Sequence, residues 1–466
     1  MKDCFNQAFT TIFENLIKGN LYMPNNHYYN VIIVGGGISG TALLYTLAKY
    51  TDVKTVALFE KYSDIATLNS NAKGNSQTLH CGDIETNYTL EKAIKTNRTA
   101  SMVENYGKLY GYENKYMFKI PKMALGVGDK EVQFIKDRFE QFKEAFPYME
   151  YWDKAKLAEI EPALLKGRDP SEDIAAMGTN MRWSAVDFGE IAKSFVRNAK
   201  KENPNVEVHL SKEVEKIEKM GDKFEVTVEG KHYYADYVVV NAGAHSLLLA
   251  HQMGHGTDFS CLPVGGSFYY SKVDSLKSKV YTIQNPKLPF AAIHGDPDIV
   301  HDNTVRFGPT AIVLPKLERY HHAHFLDFLE TMAPSSEVVE VFYDLMHDND
   351  IRDYAIKNFL YEVPGVRTKL FAKEVQKIVP SMTEDDIEFA EGIGGLRPQV
   401  IDKVSKKLFL GEAKIETGEG IVFNMTPSPG ATSCLGNAYT DAELICKFLG
   451  AHFDIKKFNK ELVDER

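Results

Sequence analysis

The stretch that decides the fold is Tyr29–Lys61, which begins YNVIIVGGGISG and ends TVALFEK. An apolar strand runs straight into Gly35–Gly40, where glycines stand at the G-x-G-x-x-G spacing. A second apolar strand ends on Glu60, 20 residues after the last of these glycines, where a ribose-binding acid is expected. A glycine-rich turn alone is a weak signal, but this complete strand, turn, helix, strand and acid predicts a dinucleotide-binding unit.

Each glycine has its own physical task in such a unit. Gly35 allows the tight turn, Gly37 lets the backbone approach a pyrophosphate, and Gly40 lets the helix pack close to the sheet. The helix N-terminus then faces the phosphates with its partial positive charge. Glu60 can accept hydrogen bonds from ribose hydroxyls, and its charge disfavours a 2′-phosphate.

Composition limits the class of protein. At 466 residues the chain is too long for one simple core, so we expect two or three lobes. The net charge of −10, without a basic tract, argues against nucleic acid as a partner. Five scattered cysteines argue for a reducing compartment. No run of about 18 apolar residues predicts a membrane span.

Residues 1–28 form an N-terminal extension. Apolar residues recur there at helical spacing, which predicts an amphipathic helix. Such a helix could lie on a membrane surface, or pack on its own protein or a neighbouring subunit. It lacks the apolar core of a secretory signal.

The pattern changes after Glu60. A simple nicotinamide-binding domain would continue with regular β-α-β repeats, but a polar segment of small residues, 69–82, follows instead. A long polar loop beside a nucleotide-binding edge is typical of a functional segment. A later apolar strand, 237–241, breaks at Ala242-Gly243, a turn that would let backbone approach the dinucleotide.

These segments carry a family likeness. The Gly35–Gly40 turn with Glu60, the strand before Gly243, and the Pro-Gly-Ala segment at 429–431 resemble FAD-dependent oxidoreductases of the D-amino-acid oxidase and glycerol-phosphate dehydrogenase type. The resemblance implies FAD rather than NAD as the cofactor.

A narrower resemblance lies within that superfamily. The loop 74–88 and the segments 262–268 and 307–309 are similar to those of the malate:quinone oxidoreductase family. The likeness extends over about residues 29–450.

The resemblance and the order of elements predict an α/β fold with an α+β second lobe. We expect a Rossmann-like FAD-binding domain interleaved with an antiparallel-sheet substrate domain. The FAD-binding domain should comprise residues 29–105, 175–261 and 392–450. The substrate or cap domain should comprise 106–174 and 262–391, and a C-terminal tail 451–466.

The resemblance also implies a reaction, the oxidation of (S)-malate to oxaloacetate within the tricarboxylic acid cycle. Non-covalently bound FAD would take the hydride and pass electrons to a membrane quinone. We expect arginine side chains to bind the carboxylates of a dicarboxylate substrate, because a guanidinium binds a carboxylate bidentately. Its hydroxyl asks for a base, a role in which histidine is the usual residue.

Arg397 is the candidate carboxylate clamp. It lies in a glycine-rich strand before the 429–431 segment, where related oxidases hold the substrate carboxylate. Arg182 and Arg306 are candidates for the second carboxylate, and a structural ion pair is the alternative for each.

His80 and His294 are the candidate bases among 14 histidines. His80 lies in the polar loop expected at the flavin face, and His294 lies where a substrate-domain strand of the family enters the site. A surface or core position is the alternative for each. The histidines at 321, 322 and 324 give no clean ligand set, so we expect no metal.

The expected FAD contacts are largely backbone contacts. Near the last helix they should place N–H groups at the pyrimidine end of the flavin, where negative charge develops on reduction. The expected contacts are Gly35, Gly37, Ile38, Ser39, Gly40, Glu60, Lys61, Ser76, Gln77, Val214, Ala242, Gly243, Gly395, Ser428, Pro429, Gly430, Ala431 and Thr432.

The sequence leaves other functions open. The chain could oxidise another 2-hydroxy acid or an amino acid, as 2-hydroxyglutarate- or glycine-oxidising relatives do, or bind FAD without catalysis. A quinone acceptor implies a cytoplasmic protein bound peripherally to the inner face of the cell membrane.

Overall fold

The strand Tyr28–Val34 lies at the centre of the first sheet. It pairs in parallel with Val56–Phe59 on one side and with Lys231–Val240 on the other. Residues 31–33 are 0% exposed, as expected for an apolar strand covered on both faces. The computed structural model describes residues 27–284, 292–301, 304–321, 325–409, 412–426 and 429–464.

This first sheet has eight strands and a parallel centre. Helices cover it, and the helix that follows the glycine turn, Ile38–Tyr50, packs against Phe188–Glu202 and Cys434–Leu449. In spatial order its strands are Ala413–Glu416, Ile421–Met425, Lys231–Val240, Tyr28–Val34, Val56–Phe59 and Val206–His209, and Lys223–Val228 with Val214–Met220 extends Lys231–Val240 as a hairpin.

The second sheet also has eight strands and is antiparallel except at one pair. That pair is Lys279–Thr282 with Lys122–Val127. In spatial order its strands are Ile387–Phe389, Tyr269–Ser271, Val305–Gly308, His294–Pro297, Lys279–Thr282, Lys122–Val127, Ile174–Thr179 and Glu150–Trp152.

Smaller sheets complete the described strands. Phe259–Gly265 and Leu396–Asp402 pair along their full length in a four-stranded antiparallel sheet, whose outer strands are Ile312–Val313 and Lys407–Phe409. Met117–Phe118 pairs with Ala185–Val186.

The helices alternate with these strands along the chain. Cys434–Leu449 ends at Gly450, whose φ of 66° provides a left-handed C-cap. The other α-helices are Ile38–Tyr50, Leu90–Leu109, Asp129–Phe142, Lys154–Ile160, Phe188–Glu202, His245–Gln252, Phe325–Met332, Ser336–His347, Asn349–Leu360, Arg367–Ile378 and Ile455–Phe458. Short 3-10 turns at Pro162–Leu164 and Glu384–Asp386 and a π-helix at Asn459–Val463 complete the set.

The two large sheets confirm the predicted fold class, a parallel dinucleotide-binding sheet interleaved with a mainly antiparallel one. One predicted boundary needs correction. Ile174–Thr179 falls almost wholly in the range 175–261 assigned to the FAD-binding domain, but it pairs with Lys122–Val127 in the second sheet. The remaining domain limits stay predictions.

The two ends of the chain differ in what the structure describes. The predicted N-terminal helix lies outside the described residues. Of residues 1–28 the structure describes His27 and Tyr28, and Tyr28 begins the first strand. The predicted C-terminal tail is packed, since Phe458 and Leu462 are 0% exposed and Asn105 Nδ2 donates to the Leu462 carbonyl at 3.0 Å. Within the described ranges no helix has the length and apolarity needed to cross a bilayer.

Candidate active site

The glycine turn leaves no room for side chains at two of its positions. A Cβ on Gly35, whose φ is +107°, would lie 2.4 Å from the Asn241 carbonyl oxygen. A Cβ on Gly40 would lie 2.0 Å from the Gly35 carbonyl oxygen. Both contacts are far inside van der Waals distance, so the turn and the helix can approach this closely only with glycine.

Glu60 lies at the end of the second strand beside this turn. It is 8% exposed, and its carboxylate accepts hydrogen bonds from the backbone N–H groups of Gly36 at 2.7 Å and Tyr62 at 2.8 Å. Burial raises the pKa of Glu60, and these two N–H groups oppose the rise. The next residue, Lys61, forms an ion pair with Glu318.

A cavity of about 460 Å³ extends from this turn toward the second sheet. Its volume lies in the range of small-molecule and cofactor sites. Its wall brings together most of the predicted FAD contacts, from segments far apart in sequence. Those on the wall are Gly35, Gly37, Ile38, Ser39, Glu60, Lys61, Ser76, Val214, Ala242, Gly243, Gly395, Pro429, Gly430, Ala431 and Thr432.

Three predicted contacts are not on that wall. Gly40 packs behind the turn, as its spacing predicts. Gln77 is 1% exposed and faces away from the cavity, because its side chain donates to Asp298 at 2.9 Å and accepts from the Ile299 backbone at 2.9 Å. Ser428 lies outside the described residues.

Arg397 lies on the cavity wall. Burial lowers the pKa of its guanidinium, and the nearby Tyr354, Tyr281 and Tyr88 oppose that shift. Within the described ranges, no carboxylate forms an ion pair with Arg397 and no acceptor takes a hydrogen bond from its side chain. A buried guanidinium that faces a cavity and has no acceptor among the described residues is suited to bind an anionic ligand.

The structure does not bring Arg182 to this wall. Its guanidinium donates to Glu104 at 2.9 Å and to Asn97 at 3.2 Å, and stacks over the ring of Tyr148. Its charge is therefore neutralised away from the cavity.

Arg306 is also engaged elsewhere. It is 1% exposed, pairs with Asp298, and donates to the backbone carbonyls of Ala72 at 2.7 Å and Asn75 at 3.2 Å. It therefore fixes the polar loop to the second sheet, and neither predicted partner of the second carboxylate faces the cavity.

His80 lies on the same wall as Arg397. Its Nδ1 is 2.8 Å from Glu85 Oε1, and its backbone N–H donates to the Thr432 hydroxyl at 3.1 Å. The second contact ties the polar loop to the segment that precedes the last helix. With Nδ1 bound to a carboxylate, Nε2 is the ring nitrogen left to meet a ligand.

His294 lies behind the wall rather than on it. It is 2% exposed, its Nδ1 pairs with Asp296, and its ring stacks on Tyr281 with centroids 4.2 Å apart. The rings of Tyr281 and His80 form a T-shaped pair, with centroids 6.2 Å apart. Burial lowers the pKa of His294, and Asp296 opposes the shift.

Several residues on or near the cavity wall are not predicted from the sequence. The Ser70 hydroxyl accepts the Ile38 N–H at 2.9 Å, and Asn69 bonds both backbone groups of Leu396. Tyr88 and Tyr281 do not line the cavity, but both interact electrostatically with the Arg397 guanidinium. Tyr88 stands in the segment compared with the family loop, but tyrosine is too common in cores to have signalled a site.

No cluster of three or more metal-binding side chains occurs among the described residues. His322 and His324, two of the three neighbouring histidines considered above, lie outside those residues.

The residues present fit FAD. The glycine turn offers the close backbone approach that a pyrophosphate needs, the buried Glu60 retains lone pairs for ribose hydroxyls, and the wall continues to the segment before the last helix.

Comparison with solved structures identifies the fold. FAD-bound L-α-glycerophosphate oxidase from Mycoplasma pneumoniae superposes with a TM-score of 0.65 at 18% identity, covering 90% of this chain and 94% of that one. Glycine oxidase from Geobacillus kaustophilus superposes with a TM-score of 0.62 at 17% identity, covering 94% and 99%. The fold is that of the FAD-binding oxidoreductases.

Sequence comparison narrows this class to one family. The sequence profile "Malate:quinone oxidoreductase (Mqo)" matches residues 27–438. A probable malate:quinone oxidoreductase of Campylobacter jejuni is 51% identical over 443 residues, covering 93% of this chain and 99% of that protein. The malate:quinone oxidoreductase of Helicobacter pylori strain 26695 is 47% identical over 444 residues, covering 94% and 98%. The chain belongs to the malate:quinone oxidoreductase family, and its cofactor is FAD.

Proposed function

We propose that this chain oxidises malate to oxaloacetate in the cavity between Arg397 and His80 and passes the electrons to a quinone. Membership of the family supports the substrate and the acceptor. The observation that carries the site assignment is the guanidinium of Arg397, which lies on the cavity wall without a carboxylate partner among the described residues.

The chain's own residues supply binding and proton transfer. Arg397 holds one substrate carboxylate by two parallel hydrogen bonds. His80 Nε2 accepts the hydroxyl proton, while Glu85 fixes the ring through Nδ1. Bound FAD would supply the acceptor for the hydride on the carbon that bears this hydroxyl, so loss of the proton and the hydride would convert malate to oxaloacetate.

The second carboxylate needs a different partner, because Arg182 and Arg306 are already paired with Glu104 and Asp298. Tyr88 is our candidate. It lies near Arg397, and within the described residues its hydroxyl makes no hydrogen bond, whereas the Tyr281 hydroxyl donates to Thr78 at 2.7 Å. A tyrosine hydroxyl next to a guanidinium can donate to a carboxylate held by that guanidinium.

The substrate assignment is tested by anaerobic mixing of the purified yellow protein with single substrates. Malate should bleach the visible flavin band, whereas lactate, which lacks the second carboxylate, should bleach it far more slowly. Rapid bleaching by glycine or 2-hydroxyglutarate and none by malate would replace malate with that substrate.

We also propose that the protein contacts the inner face of the cell membrane peripherally, from the cytoplasm. A lipid-soluble quinone supports this location, because the reduced protein must reach an acceptor dissolved in the bilayer. The protein should co-sediment with vesicles that contain quinone and reduce that quinone with malate. Quinone reduction by protein that stays wholly in the supernatant would contradict membrane contact without affecting the substrate assignment.

A further inference from the structure

Lys279 is a fully buried lysine behind the cavity wall. It is 0% exposed, and its ammonium donates to the Ser76 carbonyl at 3.1 Å, the Thr78 hydroxyl at 2.9 Å and Asp296 Oδ1 at 3.1 Å. Burial lowers the pKa of the Lys279 ammonium, and Asp296 opposes that shift. In the protonated lysine each of the three N–H bonds has an acceptor. Two of the three acceptors, Ser76 and Thr78, belong to residues of the cavity wall.

Asp296 completes a short buried chain of charges. Its other oxygen pairs with His294 Nδ1, and it is 1% exposed. The neighbouring His294 and Lys279 lower the pKa of Asp296, so this carboxylate is ionised near neutral pH. The second buried pair next to Lys279, Arg306 with Asp298, is internally neutral.

Fold stability does not account for this arrangement. Removing an ammonium from water costs several kcal/mol, and a buried ion pair is often no more stabilising than apolar residues of similar volume. The direction of the contacts gives a different reason, since the ammonium bonds to the segment that leads to His80. The His80 N–H in turn bonds to Thr432, close to the expected flavin end of the cavity.

We propose that Lys279 and Asp296 are positioning residues that hold the Ser76–Thr78 wall and set the electrostatic potential at the flavin. The ammonium bonds the wall at the Ser76 carbonyl and the Thr78 hydroxyl, and the Thr78 hydroxyl also donates to Asp296 Oδ1 at 3.5 Å. A buried cation near the flavin favours the added negative charge that reduction brings, and a buried anion opposes it. The inference rests on FAD occupying the cavity as proposed above.

Measuring the midpoint potential of bound FAD in variants of the holoprotein tests this inference. Lys279→Met leaves Asp296 uncompensated and should lower the potential, while Asp296→Asn leaves Lys279 uncompensated and should raise it. We expect each change to alter the equilibrium between oxidised and reduced flavin about tenfold, which for a two-electron couple is about 30 mV. A merely structural ion pair would give shifts of the same sign, or none.

Lys279→Arg separates charge from packing. It keeps the positive charge and should keep the potential near that of the unsubstituted protein, even if the tighter fit lowers FAD affinity. A potential in Lys279→Arg equal to that in Lys279→Met would overturn the proposal. Asp296→Asn must raise the midpoint potential if the proposal is right. This variant therefore tests the proposal even if Lys279→Met fails to fold.

Lys122 provides a matched control on the adjacent strand. It is the register partner of Lys279, is 0% exposed, and pairs with Asp83 at 2.8 Å. Among the described residues, no hydrogen bond or ion pair joins its ammonium to a residue of the cavity wall. Lys122→Met should lower thermal stability as much as Lys279→Met but shift the flavin potential much less. Equal shifts in both variants would also contradict the proposal. Potentials measured by dye equilibration need no malate, so a wrong substrate assignment would leave this test intact.

Discussion

Replacing Arg397 by lysine should raise the malate concentration needed for half-maximal flavin reduction by about 10- to 100-fold. Lysine keeps the charge but loses the planar fork that binds both oxygens of a carboxylate. One lost charge-assisted hydrogen bond is worth about 1.5–3 kcal/mol, and about 1.4 kcal/mol corresponds to a factor of ten. Stopped-flow reduction at a series of malate concentrations measures the effect, with FAD content as a check on folding.

Arg182→Lys is the matched control for this prediction. Arg182 is also a partly buried arginine, but its partners are Glu104 and Asn97 rather than the cavity. The control should lower thermal stability and leave the malate dependence of flavin reduction unchanged. If the flavin of Arg397→Lys were reduced with the same malate dependence as that of the unsubstituted chain, Arg397 would not be a ligand of the substrate carboxylate.

The glycine turn shows what sequence can predict about this fold. Gly35, Gly40 and Glu60 act on neighbours within one strand–turn–helix unit or on the strand beside it. Their spacing therefore determines their geometry almost completely. The other predicted contacts depend on the family resemblance, and most of them lie on one cavity wall.

The arginines show where prediction from sequence fails. The local sequence around an arginine on a strand does not show whether a carboxylate lies beside its guanidinium in the folded protein. Arg182 meets Glu104, which is 78 residues away, and Arg306 meets Asp298 across a hairpin. Neither pairing can be deduced from local periodicity, because tertiary packing decides which arginines are neutralised and which face a cavity.

The burial of Lys279 is equally hard to predict from the sequence. Lysines are mostly exposed, so a lysine that begins a short strand is expected at the surface. Here strand pairing with Lys122–Val127 and His294–Pro297 buries it against Asp296. The second sheet therefore places charges behind the cavity wall that no motif in the sequence marks.

Replacing His80 by asparagine should lower the rate of flavin reduction at saturating malate by about 10²- to 10⁴-fold, the usual contribution of a positioned general base. The loss should fall mainly on the maximal rate, because Arg397, the proposed partner of the substrate carboxylate, is unchanged. Glu85→Gln should give a smaller loss in the same direction, since the ring remains but its Nδ1 loses a charged partner.

His294→Asn discriminates between the two histidines that sequence alone could not separate. His294 lies behind Tyr281 and bonds Asp296, so its replacement should disturb the packing of Tyr281 and lower the rate less than His80→Asn does. The exposed His347→Gln serves as a surface control that should change nothing. A full loss in His294→Asn with near-normal reduction in His80→Asn would transfer the role of base to His294. In that event Asp296 would be the carboxylate that orients the base, and replacing Glu85 should not lower the rate of flavin reduction.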